Sequence, residues 1–101
     1  MDLAQARTEF LAYVAVERGL SVNTLDAYTR DLEGYLLWLN GKKIILPNQV
    51  TRSDVEEYIG SLRDLGMAPA SVERHTAALR NFHKFMAVEQ ICESSPAEDL
   101  P

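Results

Sequence analysis

Two histidines, one cysteine and four tyrosines are the side chains with which this chain could do covalent or metal chemistry. His75 and His83 lie eight positions apart on what reads as one helix, about two turns. That is too far for the i, i+4 pair that grips a metal, and no Cys/His cluster supplies further ligands, so both are expected to be ordinary surface or partly buried histidines. Cys92 stands beside Glu93, whose charge raises a thiol pKa rather than activating it. None of the tyrosines has the cluster of basic neighbours that a covalent phosphotyrosine needs. A glycine-rich phosphate loop, a nucleophile elbow and a zinc motif are all missing. The chain is therefore not expected to be an enzyme by itself, nor to hold a metal or cofactor.

What remains is binding chemistry. On the segment Ala70 to Met86, Arg74, Arg80 and Lys84 face only Glu73 in charge. Arg74, Asn81 and Lys84 fall in one broad helical sector, with Arg80 flanking it. These are the residue types that read base edges and hold phosphates, although a solvated helix face has the same look. Two helix starts add to this, Ser21-Val22-Asn23-Thr24 and Ser71-Val72-Glu73-Arg74. Free backbone N–H groups at a helix start favour anions, and simple capping is the plainer reading of both. The candidate DNA-facing residues are Asn23, Thr24, Tyr28 and Arg30 on the earlier helix, and Ser71, Arg74, Arg80, Asn81 and Lys84 on the later one. Among them Arg74 stands out, one turn into its helix where a side chain still reaches into a groove.

The formal charge of −5 opposes nucleic-acid binding. Its distribution softens the objection: Glu89, Glu93, Glu98 and Asp99 sit together near the end with no basic residue among them, and the local field governs a groove contact. The composition, 47% hydrophobic and 25% charged, is that of a globular domain. A lone cysteine suggests a reducing compartment. With no signal-peptide pattern and no apolar run near the ~20 residues of a membrane span, a cytoplasmic location is expected.

Four helical segments must position these residues. Leu3, Ala6, Phe10, Tyr13 and Val14 recur at helical spacing over about Leu3 to Arg18, with Gly19 placed for a left-handed cap. Ser21 can cap a second helix to about Asn40, with Leu25, Tyr28, Leu32, Tyr35, Leu36 and Leu39 as its apolar stripe and Asn40-Gly41 as its stop. Residues Lys42 to Gln49 read as a loop. Thr51-Arg52-Ser53-Asp54 resembles a capping box with Asp in place of Glu, followed by Val55, Tyr58, Ile59, Leu62 and Leu65 as a buried face. The fourth helix is expected from near Ser71 to about Gln90, with Val72, Leu79, Phe82, Phe85 and Met86 inward. The expected fold is all-α, one bundle of four main helices, with Phe10, Val14, Leu25, Leu32, Leu36, Val55, Ile59, Leu62, Leu79 and Phe82 in its core. Residues 1–92 read as the domain and 93–101, polar and Pro-bounded, as the mobile start of a linker.

The run Phe10 to Tyr13 with Glu17 to Leu32 resembles the opening of Xer-type tyrosine recombinases. The string Ser71-Val72-Glu73-Arg74, continued by Ala78 to Met86, is similar to that family's fourth helix, and Ser95 to Pro101 to its lead-in to the catalytic domain. Thr76 and Ala77 depart from the usual Leu and Ser. The resemblance covers nearly the whole chain. It implies a SAM-like core-binding domain of the phage integrase kind, which closes on one face of a double-stranded recombination site through its second and fourth helices. It places the catalytic residues in a C-terminal domain, and implies as partners that domain and the other protomers of a synaptic tetramer, the isolated module being monomeric. Chromosome dimer resolution and element integration both remain open. The competing reading is a helical protein–protein interaction module of SAM type, which the acidic surface would suit.

Overall fold

The computed structural model describes residues 1–98 and 100; Asp99 and Pro101, which belong to the expected linker, lie outside the described residues. Four α-helices carry the chain: α1 (Leu3–Val16), α2 (Val22–Gly41), α3 (Arg52–Asp64) and α4 (Pro69–Val88). A single 3-10 turn, Pro47–Gln49, interrupts the α2–α3 connection, and no strand occurs among the described residues.

Each start has a local cause. Asp2 and Gln5 bond reciprocally to each other's backbone N–H and open α1. The Ser21 hydroxyl oxygen accepts from Thr24 N–H at α2. At α3 the Thr51–Asp54 box forms in full, at 2.9 and 3.1 Å, so the shorter acid does the work of Glu. The fourth helix begins earlier than expected. Pro69 takes its first position, which suits a residue with preset φ and no N–H to satisfy. Ser71 is thereby the third residue of α4 and not its cap.

The stops also differ from the sequence reading. The first helix ends at Val16 rather than Arg18, although Gly19 does take φ +59°. Asn40-Gly41 does not terminate α2, because Gly41 is still helical and Lys43 takes the left-handed turn at φ 63°. There Ile44 N–H donates to Leu39 C=O and Lys43 N–H to Asn40 C=O, a Schellman closure. Gly66, at φ 82°, closes α3 in the same way. Leu65 lies at that closure, past the last helical residue, and is 84% exposed, so it does not belong to the buried face.

The core joins all four helices around Phe10, Leu32, Tyr35, Leu39, Val55, Leu79, Phe82 and Met86. Eight of the ten expected core residues are buried; Leu25 and Leu36 only pack against its edge. Gly34 lets α2 approach α3: a Cβ there would sit 3.3 Å from the Tyr58 hydroxyl. The chain after α4 does not leave the body at residue 93. Ala97 is fully buried, Glu93 N–H donates to Asn48 Oδ1, and Leu100 packs on the core. An apolar Ala and Leu, spaced three apart after Pro96, find a place on the bundle.

Candidate nucleic-acid interface

The seam between α2 and α4 holds a set of paired polar side chains. Asp31 of α2 is only 3% exposed, and it is paired. Arg74 of α4 donates to it twice, Nε to Oδ2 at 2.9 Å and Nη2 to Oδ1 at 3.0 Å. His75 Nε2 reaches the same Oδ1 at 3.1 Å. Burial pushes the His75 pKa down; Asp31 pulls it up and Arg74 pushes it down again. The hydrogen bond to Asp31 raises that of Arg74. The Arg74 side chain stays 42% exposed, so this is a half-open bidentate pair standing on a buried carboxylate.

Next to it, Tyr28 and Asn81 face each other, with Asn81 Nδ2 3.4 Å from the Tyr28 hydroxyl. That distance makes a loose contact, which a better acceptor can displace. Deeper in the seam Tyr35 and His83 share a 2.9 Å bond and are both fully buried. Burial lowers the His83 pKa to about 4 and raises that of the Tyr35 hydroxyl. The two histidines are thus interior groups, not the surface or partly buried residues expected, and among the described residues no group of side chains could hold a metal.

The other candidates are spread more widely. Asn23 and Arg30 are exposed on the outward face of α2, and Lys84 is exposed on α4. Thr24 is engaged in the α2 cap through its N–H and its hydroxyl. Ser71 N–H donates to Ala68 C=O at 2.9 Å, as does Val72 N–H, so the start of α4 offers an anion fewer free donors than the sequence suggested. Arg80 turns away from the seam. Its Nη2 donates to Leu100 C=O at 3.0 Å, and it lines a groove against α3 with Arg52, Glu56 and Arg63. Cys92 is buried, and burial, rather than Glu93, raises its thiol pKa.

Residues 8–90, which contain every candidate DNA-facing residue together with Asp31, His75 and His83, match the family described as phage integrase, N-terminal SAM-like domain. The chain belongs to this family. A tyrosine recombinase XerD of Oceanobacillus iheyensis is 35% identical over 96 residues, covering 94% of this chain and 32% of that protein. The XerD of Chlorobaculum tepidum is 35% identical over 91 residues, 90% of this chain and 30% of its own length. That of Bifidobacterium longum is 39% identical over 77 residues, 76% of this chain and 25% of its own. The chain thus spans about a third or less of the curated relatives it matches. No solved structure matches it.

In this integrase SAM-like domain the group missing from the sequence candidates is Asp31, and His75, weighed there only as a metal ligand, was not placed beside it. Asp31 follows Arg30 in the sequence. Its signal lay in the helical register, since it stands three positions after Tyr28 and four before Tyr35, both on the inward side of α2. Among the described residues no helix is long and apolar enough to cross a membrane.

Proposed function

We propose that this integrase SAM-like domain is the DNA-gripping module of a tyrosine recombinase, and that it lays the α2/α4 seam against the major groove of a recombination site. The single observation that carries the reading is the mounting of Arg74. A bidentate carboxylate partner fixes its guanidinium at the mouth of the seam while leaving the side chain 42% exposed. Tyr28 and Asn81 flank it with a contact loose enough to open. Asn23, Arg30 and Lys84, exposed on the same two helices, are assigned to phosphates, with Thr24 and Ser71 at the helix starts as neighbours. Arg80 joins only at the margin, since its guanidinium is turned toward α3 and Leu100.

Strand breakage and rejoining belong, in this reading, to the part of the recombinase beyond this third, which works in the cytoplasm with further protomers. The proposed boundary keeps 1–92 as the DNA module and treats 93–101 as the lead to the catalytic domain, with its first residues seated on the bundle. Half a clamp with a net charge of −5 binds weakly alone.

The test is fluorescence anisotropy of the chain with a labelled recombination-site duplex over a series of salt concentrations. DNA binding weakens linearly in log–log form, and Lys84→Ala or Arg30→Ala each lowers the slope by about 0.9. Binding that ignores salt, or that a duplex cannot elicit at low salt, contradicts the reading and favours a protein-interaction role.

A further inference from the structure

We infer that Asp31 is a positioning residue for base readout: it holds Arg74 by one edge so that the opposite edge of the guanidinium meets the O6/N7 edge of a guanine. This rests on the DNA-binding reading above and goes beyond it by naming the base and the residue that sets up its recognition.

A guanidinium has a side edge, made by Nε and one Nη, and an end edge, made by one N–H from each Nη. Asp31 takes the side edge of Arg74 with both carboxylate oxygens, at 2.9 and 3.0 Å. Nη1 has no partner among the described residues. The end edge is therefore a pair of parallel donors with fixed direction, and its match on duplex DNA is the pair of acceptors that guanine shows in the major groove.

A phosphate also accepts two parallel donors, and charge decides between the two. Arg74 and Asp31 together carry no net charge, so the pair gains little from neutralising a phosphate and releasing a counterion. What it retains is direction, which discriminates bases. His75 strengthens the mount. Its Nε2 lies 3.1 Å from Oδ1, and burial lowers its pKa, so the ring covers the carboxylate without competing for the charge that binds Arg74. Asp31 itself is 3% exposed and carried on a helix packed into the core, so the mount cannot swing.

The experiment selects duplexes from a library with a randomised core, using the 101-residue chain at low salt, and sequences what is retained. The chain should enrich guanine at one fixed position. Arg74→Lys, which keeps the charge and loses the fork, and Asp31→Asn, which weakens the mount, should each cut that enrichment roughly tenfold or more. Arg74→Lys should keep the parent's salt slope, while Asp31→Asn, which leaves the Arg74 charge uncovered, should steepen it by at most about 0.9.

A second measurement needs no variant. On adding the selected duplex, the side-chain Nε resonance of Arg74 should hardly move, because Asp31 still holds it, while the Nη resonances shift. Movement of Nε comparable to that of Nη overturns the positioning role. If Arg74→Ala keeps the guanine preference but loses about 0.9 of the salt slope, Arg74 is a phosphate contact and the inference is wrong, with DNA binding intact. A parent chain that binds no duplex overturns both.

Discussion

His83 gives the sharpest prediction about the domain itself. Its ring is fully buried, bonded at 2.9 Å to an equally buried Tyr35 hydroxyl, and its pKa falls from 6.5 to about 4. The unfolded chain takes up a proton near pH 6.5 that the folded chain refuses until about pH 4. Stability from neutral His83 is therefore complete above pH 6.5 and is lost as pH falls through that window. At about 1.36 kcal/mol per unit, two units below 6.5 correspond to a loss of roughly 2–3 kcal/mol by pH 4.5. His75, also depressed, acts in the same direction. Asp54 does not intrude. Burial raises its pKa, but the bonds from Thr51 and Lys42 outweigh that and hold it below its usual 3.8, so its contribution is lost only at lower pH. The assay is urea unfolding at pH 7.5 and pH 4.5, followed by helical circular dichroism. His83→Gln keeps a hydrogen-bonding partner for Tyr35 and cannot be protonated in this range. The variant should lose about 2 kcal/mol less than the parent between the two pH values. Equal losses in the two chains would refute the claim that a neutral buried imidazole sets the acid limit.

Leu79→Ala should destabilise by roughly 2–5 kcal/mol, because Leu79 is completely enclosed, while Leu25→Ala, at the core's edge, should cost less than half as much; equal costs in denaturant unfolding would contradict the core drawn here. The segment after α4 should be ordered through residue 98, with backbone relaxation like that of the helices, since Ala97 and Cys92 are buried; fast motion from residue 94 onward would restore the free-linker expectation. The Cys92 thiol should react with a disulfide reagent on the order of 100-fold more slowly than an exposed thiol, because it must wait for local opening.

The fold was legible where it depends on local pattern. Capping by Ser21, the Thr51–Asp54 box, the buried Leu3, Ala6, Phe10 and Val14 of α1 (though not Tyr13, which is exposed), and the inward face of α3 up to Leu62 follow from residue type and a 3.6-residue period. Errors arose where two local signals competed. Pro69 preceded Ser71 and took the helix start, and Gly41 was passed over because the Schellman closure two residues later satisfied more carbonyls. The polar interior was illegible for a different reason. Asp31 and His83 are tolerated inside only through partners 43 and 48 positions away, and although helical register can turn Asp31 inward, no local pattern names the partner. The same holds for Arg80. Its sequence neighbours place it beside Asn81 and Lys84, and only the packing of α3 and the chain end shows which way it turns.

The most direct test of the central claim is amide-shift mapping of the isotope-labelled chain with a recombination-site duplex, at about 50 mM and about 200 mM salt. Perturbations should concentrate on α2 from Asn23 to Asp31 and on α4 from Ser71 to Lys84, be largest around Arg74, and shrink at the higher salt. Shifts confined to α1 and α3, or shifts that salt leaves unchanged, would contradict a DNA-facing α2/α4 seam.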